Sequence, residues 1–274
     1  MRAELRVATY EATAEGLRLL GRHPSLSASS AELPQGAYTT LRTYGGRGVV
    51  RLDQHRRRLE DSVTAEARPA AIDPDFLRRA LRQALDAGGH AESRLRATFS
   101  PPRLFVAVEP FRPLPGQLYE EGVACTTVLL RRENPHAKDT RFIATAQDAY
   151  ERLPPGVEEG LILGEDGAVL EGLSSNFFGV VDGLLRTEED RALGGVTRSL
   201  VLEVAQRLIP IGRRAVARAE RARLAEAFLT SVSREVLPVV RIDDRPVGDG
   251  CVGDRTRAIM RGFADLVARE LERL

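Results

Sequence analysis

The sequence predicts a mixed α/β (α+β) fold in two domains. Strand-like and helix-like segments interleave along both halves of the 274-residue chain, without an internal repeat or low-complexity segment. The β segments are too numerous for a helical bundle. The proline-rich run Pro110–Gly116 is typical of a linker. We therefore expect an N-terminal domain over residues 1–112, a linker over 113–121 and a C-terminal domain over 122–274.

The first half carries clear signals for where its elements begin and end. Asp53 is a candidate N-cap for one helix, and Asp73-Pro74 begins another, whose leucines recur at helical spacing until Gly88-Gly89. A glycine-rich turn at 45–48 separates two strand-like runs. The predicted elements of this half are, in order, strands at 38–44 and 49–52, helices at 53–65 and 74–88, and strands at 93–99 and 104–108.

The second half begins with a β-rich run and continues with alternating signals. A helix follows Lys138 after the irregular stretch Glu133–His136, and a hairpin pattern precedes the next helix. The predicted elements of this half are, in order, a strand at 123–130, the helix after Lys138, a hairpin pattern over 161–185, a helix over 196–208, strands at 227–230 and 236–242, and a terminal helix from 255.

Composition argues against several classes of protein. The net charge of +1 and an aromatic content of 5% without tryptophan argue against nucleic acid as a partner. No run approaches the roughly 18 consecutive apolar residues that a membrane span requires, and Met1–Arg6 shows no apolar signal core. Cys125 and Cys251 lie far apart, make no metal-ligand spacing and suit reduced thiols. We expect a cytoplasmic protein without a metal site.

One residue type stands out, because Lys138 is the only lysine among the 40 basic residues. Arginine can replace lysine wherever a positive charge suffices, but it stays protonated and cannot attack a carbonyl to form an imine. The alternative is a surface lysine without a special role. The densest basic run, Arg56–Arg58, reads on charge alone as the solvated face of a helix.

Three further segments of the second half carry candidate chemistry. Glu171 precedes glycine, small polar residues and an apolar strand, so its carboxylate could face a pyridine nitrogen or simply begin a turn. Leu193–Arg198 places two glycines before a helix, where free backbone amides can hold a phosphate. Phe228–Ser233 ends a strand in hydroxyl residues that could donate to a phosphate. Each segment alone also fits an ordinary turn or cap.

The order and spacing of these features resemble the class IV, or fold-type IV, pyridoxal-phosphate aminotransferase family. Its members include branched-chain and D-amino acid aminotransferases and aminodeoxychorismate lyase, and the resemblance extends from about Gly36 onward. It implies a small N-terminal α/β domain and a larger C-terminal domain with a barrel-like sheet. It further implies pyridoxal 5'-phosphate (PLP) in the cleft between the domains, and a homodimer whose partner subunit helps to close the active site.

The resemblance also assigns roles to individual residues. Lys138 falls at the lysine that forms a Schiff base with PLP, and Glu171 falls at the carboxylate that faces the pyridine nitrogen. Asp53–Leu59 is similar to the family's His-x-x-Arg-Leu helix, which places Arg58 on the cofactor phosphate, where its fork can hold two oxygens. The other phosphate contacts that the resemblance implies are Val196, Thr197, Ser231 and Val232.

Several positions depart from the family pattern. The family often has asparagine three positions after the lysine and frequently tyrosine next, where this chain has Arg141 and Phe142. Phenylalanine cannot give the cofactor's phenolic oxygen the hydrogen bond that tyrosine would. Val232 replaces a threonine common among relatives, so one hydroxyl is lost while the backbone N–H remains. The glutamate common after the aromatic residue is missing from Gly36–Thr40.

The expected substrate residues lie on the strand at 38–44 and on the strand at 93–99. Period two puts Tyr38, Thr40 and Arg42 on one face, and Arg96 lies near a substrate-side arginine of branched-chain enzymes. Arg94 and Arg96 share a face of the second strand, and either could bind a carboxylate, although a strand arginine at a dimer interface fits equally. The Arg-x-Tyr pattern resembles branched-chain aminotransferases, whereas the paired threonines resemble aminodeoxychorismate lyases.

These observations predict a PLP-dependent transaminase that moves an amino group between a small or branched-chain amino acid and a 2-oxo acid through a Lys138 Schiff base. One alternative is 4-amino-4-deoxychorismate lyase, which eliminates pyruvate and needs no oxo-acid acceptor. An alternative from another class is a catalytically inactive binding protein of the same fold.

Overall fold

The computed structural model describes residues 6–66 and 68–274, so most of the segment Met1–Arg6, where no export signal was expected, lies outside the described residues. The chain divides into two compact units. The first unit takes the chain up to Arg112 together with Ala137–Thr145 and Glu270–Leu274, and the second takes Pro113–His136 and Ala146–Arg269.

Strands and helices alternate along the chain, which confirms the mixed α/β class. The strands are β1 (Val7–Ala12), β2 (Leu17–His23), β3 (Ala37–Arg42), β4 (Gly48–Val50), β5 (Ser93–Ser100), β6 (Arg103–Pro110), β7 (Val123–Val128), β8 (Glu159–Leu163), β9 (Val169–Gly172), β10 (Asn176–Val181), β11 (Leu184–Arg186), β12 (Ile211–Gly212), β13 (Leu224–Ser231), β14 (Glu235–Ile242), β15 (Arg245–Pro246) and β16 (Leu271–Arg273). The helices are α1 (Leu26–Ala31), α2 (Leu52–Ala65), α3 (Pro74–Gly88), α4 (Gly116–Glu121), α5 (Arg141–Glu151), α6 (Val196–Ala205) and α7 (Asp254–Glu270), with a 3₁₀ helix at Arg218–Arg223.

The first unit is an antiparallel sheet covered by helices. Its strands follow the order β2, β1, β6, β5, β3. α2 packs against β3 and α3 against β6, with a core that includes Leu41, Leu59, Leu81 and Leu95. Across β3 and β5, Tyr38 pairs with Thr98 and Thr40 with Arg96. Successive side chains of β3 therefore point to opposite faces of the sheet, of which one is polar and the other is buried against α2.

Helix α3 follows its local signals, whereas α2 does not. Asp73 caps α3 by accepting the Phe76 N–H at 2.6 Å, and Gly89 ends the helix with φ of 63°. For α2 the expectation that Asp53 is the N-cap is wrong. Arg51, with φ of 54°, precedes the helix, and the Leu52 N–H donates to Glu272 at 2.8 Å. The cap therefore comes from a carboxylate far along the chain.

The sheet of the second unit closes on itself. β10, β13, β14, β7, β8 and β9 pair in that order, and β9 returns to β10 where Glu171 lies opposite Asn176. β11, β12 and β15 extend the sheet, while α6 packs against β13 and α4 against β14. The interior holds large apolar side chains such as Phe177 and Leu229. This closed sheet confirms the barrel-like architecture that the family resemblance implied.

Among the helices in residues 6–66 and 68–274, none combines the length and apolar character needed to cross a bilayer.

Candidate active site

Lys138 is held in the first unit by its backbone. The Tyr38 N–H at β3 donates to the Lys138 carbonyl at 2.8 Å, and the Lys138 N–H donates to Ser62 Oγ on α2 at 3.1 Å. Next to it, Asp139 forms a bridge with Ala37. The lysine is thus fixed between a strand and a helix, with its Nζ 4.7 Å from the centroid of the Tyr38 ring.

Arg58 lies on α2 one turn before Ser62, whose hydroxyl donates to the Arg58 carbonyl at 2.7 Å. The Arg58 guanidinium donates to Thr39 Oγ1 and approaches His55 Nδ1 at 3.4 Å. Burial, and then the positive charges of Arg58 and Lys138, hold the pKa of His55 well below its usual value. The structure therefore brings two predicted residues, Lys138 and Arg58, into one electrostatic environment around a neutral imidazole.

The predicted substrate residues share one face of the first sheet. Tyr38, Thr40 and Arg42 occupy alternate positions along β3, and Arg96 lies across from Thr40. The Arg96 guanidinium is 4.8 Å from the centroid of the Tyr38 ring. Its Nη1 donates to the Leu26 carbonyl at 3.0 Å and to Ser30 Oγ at 2.8 Å. These contacts commit part of Arg96 to holding α1.

Arg42 is stacked between two aromatic rings. Its guanidinium carbon lies 4.2 Å from the centroid of Tyr44 and 4.3 Å from that of Phe111. Such cation–π contacts fix the direction of the side chain and partly satisfy its charge. The Arg-x-Tyr spacing noted in the sequence therefore has a structural role in packing the first sheet.

Glu171 lies in the second unit, where its carboxylate is buried and held on both oxygens. Oε1 accepts from Arg132 Nη1 at 2.8 Å, and Oε2 accepts from the Leu193 N–H at 3.1 Å. The side chains of Glu171 and Arg132 are only 5% and 9% exposed. A buried carboxylate fixed in this way can present its remaining lone pairs to a protonated ring nitrogen.

The turn before α6 is also fixed from behind. Asn176 Nδ2 donates to the Leu193 carbonyl at 2.7 Å, and a Cβ at Gly195 would come within 2.2 Å of Asn176 Oδ1. Within the part of the chain that the structure describes, no side chain caps α6 at Gly195. The backbone N–H groups of Val196 and Thr197 are therefore placed to bind an anion at a helix N-terminus.

The end of β13 adds hydroxyl groups. Thr230 Oγ1 is buried and makes no hydrogen bond within the described residues. Ser231 Oγ accepts from the Arg234 N–H at 3.2 Å, which tightens the turn that contains Val232. Arg234 in turn donates to Glu159 at 3.1 Å and to Ser174 at 2.9 Å. A buried hydroxyl without a partner is a place where a ligand oxygen can supply the missing bond.

PLP needs an amine, a carboxylate for its pyridine nitrogen and donors for its phosphate, and each unit, taken by itself, carries groups of these kinds. Lys138 and Glu171 supply the first two, and the start of α6 supplies backbone donors. Thr230 adds the orphaned hydroxyl. Within the described residues no group of three or more His, Cys, Asp or Glu side chains is placed to hold a metal ion.

The departures near Lys138 have structural roles. Arg141, the first residue of α5, donates to Asp139 and to Glu66. Phe142, the next residue, is half-buried. Arg141 therefore stabilises the segment that follows the lysine by ion pairs.

Sequence reasoning missed Ser62, Thr39, His55, Arg132 and Thr230. The period-two pattern of β3 could have put Thr39 on the face that meets α2. His55 and Ser62 could have been found as helix neighbours of Arg58, at spacings of three and four. Nothing local to Arg132 points to Glu171, because 39 positions separate them.

The chain can be assigned to a family of enzymes by its similarity to known proteins. The family model described as Amino-transferase class IV matches residues 36–242. The chain therefore belongs to the class IV aminotransferases, which confirms the resemblance and makes it an aminotransferase.

Relatives with assigned activities extend this finding. The branched-chain-amino-acid aminotransferase of Pseudomonas aeruginosa is 27% identical over 262 residues, which covers 86% of this chain and 85% of the relative. The enzyme of the same name from Escherichia coli K12 is 25% identical and covers 84% of this chain and 82% of the relative. These names favour a transaminase over a lyase or an inactive protein.

Solved structures agree with the fold. A branched-chain amino acid aminotransferase from T.th. with pyridoxamine 5'-phosphate has a TM-score of 0.80, 22% identity and coverage of 98% of both chains. The branched-chain aminotransferase of Thermoproteus uzoniensis with norvaline has a TM-score of 0.77 and 25% identity, over 97% of this chain and 98% of the other.

Proposed function

We propose that this protein is a PLP-dependent aminotransferase that moves an amino group between a small or branched-chain amino acid and a 2-oxo acid. The observation that carries the proposal is Lys138, the one lysine of a class IV chain, fixed by its backbone between β3 and α2. The relatives' names support the reaction, and the norvaline bound by the Thermoproteus uzoniensis enzyme supports a small apolar side chain on the substrate.

Residues of both units would hold the cofactor. We propose that Glu171 faces the pyridine nitrogen and that Nζ of Lys138 is the covalent attachment point. The phosphate would be held by Arg58, Val196, Thr197, Ser231 and Val232. PLP, when bound, supplies an electron sink that stabilises negative charge at the substrate α-carbon.

The protein supplies proton transfer and positioning. As a free, neutral amine, Lys138 would accept a proton from the substrate α-carbon on Nζ and would deliver that proton to the cofactor. Arginine could not do this, since it stays protonated. Arg132 and the Leu193 N–H keep the Glu171 carboxylate from rotating, so its charge is fixed before substrate arrives.

The substrate would lie against the face of β3 and β5 that carries Tyr38, Thr40, Arg42 and Arg96. Arg42 and Arg96 are held by aromatic rings and by α1, so each presents its charge from a fixed direction. Fixed guanidinium groups suit a carboxylate because both oxygens can be bound at once.

The proposal is tested first at the lysine. Treatment of the purified protein with borohydride reduces a cofactor imine to a stable amine, and peptide mass spectrometry should then find the added mass on the peptide that contains Lys138. Lys138→Ala and Lys138→Arg should both lose this mass and lose turnover. A Lys138→Ala enzyme that turns over at the wild-type rate would contradict the assignment.

The reaction is tested with a panel of amino donors, in both enantiomers, against pyruvate and 2-oxoglutarate. We expect turnover of branched-chain and small donors that stops when the oxo acid is left out. Release of pyruvate from aminodeoxychorismate without an acceptor would instead establish the lyase alternative.

We also propose a cytoplasmic homodimer. Cys125 and Cys251 are both free thiols, as in a reducing compartment. Leu19 and Leu20 are exposed on β2, an edge strand of the first sheet, where a second copy could cover them. Light scattering of the purified protein should give twice the chain mass of 30.1 kDa.

A further inference from the structure

Thr39, His55 and Arg58 form a buried cluster where β3 meets α2. Thr39 is fully buried and His55 is 3% exposed. Thr39 Oγ1 lies 2.7 Å from His55 Nδ1, and Arg58 Nη2 donates to Thr39 Oγ1. Arg58 Nη2 is also 3.4 Å from His55 Nδ1. Three polar groups thus converge inside an otherwise apolar contact.

The hydrogens of this cluster can be assigned. A guanidinium only donates, so Thr39 Oγ1 is the acceptor for Arg58. The Thr39 hydroxyl hydrogen is then available for His55 Nδ1, which must carry a lone pair. The approach of a second donor, Arg58 Nη2, to the same nitrogen requires the same lone pair. His55 is therefore neutral, with its ring hydrogen on Nε2, and a hydrogen-bond chain runs from Arg58 through Thr39 to His55.

Packing alone does not explain Thr39. Its neighbours on the same face of β3 are apolar, and Leu41 is 2% exposed. Valine has nearly the same shape and would avoid the cost of burying a hydroxyl. The hydroxyl is retained at a position where it contacts the guanidinium, and its chemistry there is to accept from Arg58 and donate to His55.

We propose that Thr39 and neutral His55 are a positioning pair for Arg58, and that they set the direction in which its guanidinium meets the cofactor phosphate. This inference rests on the proposed role of Arg58 in binding PLP. The pair acts through Arg58 and does not itself contact the cofactor. Without it, the guanidinium would keep its charge but lose its orientation, and bidentate contact with a phosphate depends on orientation.

The test compares two ligands that differ only in the phosphate. The full-length enzyme is stripped of cofactor, and the dissociation constants of PLP and of pyridoxal are measured by titration. Thr39→Val should weaken the binding of PLP about tenfold, the size expected when a hydrogen bond to a charged group is lost. It should leave the affinity for pyridoxal unchanged. Thr39→Ser restores the hydroxyl and should restore affinity. His55→Asn keeps an acceptor near the Nδ1 position and should weaken PLP less than His55→Leu.

Thr64→Val is the matched control, because Thr64 is an exposed residue of α2 whose hydroxyl donates only to the Glu60 carbonyl. It should change neither constant. In an Arg58→Ala background, Thr39→Val should have an effect of less than about twofold, since two residues that act through one contact are not additive.

The outcomes separate the two proposals. If Arg58→Ala leaves the affinity for PLP intact, the proposed phosphate role of Arg58 is wrong. If Arg58→Ala weakens PLP but Thr39→Val does not, the positioning pair is wrong and the phosphate role stands. Equal weakening of PLP and pyridoxal by Thr39→Val would also overturn the pair, because it would show general damage to the fold.

Discussion

Arg132 and Glu171 form an ion pair that is almost completely removed from water, with 9% and 5% of the side chains exposed. Charges in such a place lose hydration, and their attraction offsets that loss only while both partners are present. Leu193 adds a backbone donor to the same carboxylate. The ion pair therefore fixes the position of Glu171, although an apolar pair of similar size would make the folded protein more stable.

Removing one partner of the ion pair should lower the free energy of unfolding more than removing both partners does. We expect Arg132→Met to lower the free energy of unfolding by about 3–5 kcal/mol, because Glu171 is left buried and unpaired. The double variant Arg132→Met/Glu171→Met should recover most of that stability and remain without aminotransferase activity. Chemical denaturation followed by circular dichroism measures the first effect, and the donor assay the second.

An exposed ion pair provides the control. Arg223 and Asp182 are 54% and 59% exposed, so Arg223→Met should cost at most about 1 kcal/mol. A loss in Arg132→Met no larger than in Arg223→Met would show that the buried pair is not as strongly coupled as its burial implies.

At the residue scale, the sequence was informative where chemistry restricts the residue type. Lys138 could be singled out because it is the only lysine of the chain. Glu171 could be singled out because glycine and small polar residues follow it. Their roles toward the cofactor remain predictions. Arg132 could not be found, since 39 arginines look alike in a sequence and only folding brings one of them to Glu171.

The turn that leads into α6 depends on a glycine that has no room for a side chain. A Cβ at Gly195 would lie 2.2 Å from Asn176 Oδ1, whereas a Cβ at Gly194 meets nothing within 4 Å. Gly195→Ala must displace either the turn or Asn176, which donates to the Leu193 carbonyl. The backbone donors of α6 would move with it.

We expect Gly195→Ala to destabilise the protein by about 1–3 kcal/mol, as overpacking does. We also expect it to weaken the binding of PLP more than Gly194→Ala does. Thermal unfolding with and without PLP measures both effects. Equal behaviour of the two alanine variants would argue against the close approach of Asn176 to the turn.

The two helices α2 and α3 show why one helix start is predictable and another is not. Asp73 and Gly89 lie next to α3 in sequence, so the signals of its ends are local. The start of α2 is satisfied by Glu272, from the other end of the chain, and no local pattern can reveal such a partner. Tertiary contacts replaced the local cap.

The difference can be measured. Asp73→Ala should cost about 0.5–2 kcal/mol, the usual loss for an N-cap. Asp53→Ala should cost less, because the partners of Asp53 are the neighbouring Arg56 and Arg57 at the helix surface. A larger loss in Asp53→Ala would restore the sequence-based assignment of the cap.

On the scale of the whole molecule, the alternation of elements predicted the fold class but not the architecture. β1 and β2 were not foreseen, and neither was the joining of Ala137–Thr145 to the first unit. Closure of the second sheet depends on the single pairing of Glu171 with Asn176, which periodicity cannot show. The family resemblance supplied the barrel-like sheet because relatives preserve topology while sequence diverges.

Glu11 and His55, both in the first unit, contribute to the response of the whole molecule to acid. Hydrogen bonds from Arg103 and then from Arg18 lower the pKa of Glu11 from its ordinary 4.5 to about 2. Its contribution to stability is present above pH 4.5 and is lost as the pH falls toward 2. Burial lowers the pKa of His55 below 6.5, so the unfolded chain takes up a proton first, and stability begins to fall below that pH.

His55 and Glu11 therefore affect the stability of the protein in successive pH ranges. Between pH 6.5 and 4.5 the loss should come from His55, with a slope of at most about 1.4 kcal/mol per pH unit for one proton. His55→Asn should flatten this window, because asparagine does not titrate. Glu11→Gln should lose about 1 kcal/mol at neutral pH, a figure kept small because its arginine partners are largely in solvent, and should converge with the wild type near pH 2. Denaturation curves collected across this range would test both signs, since a Glu11→Gln deficit that grows in acid would require a raised pKa in the folded state.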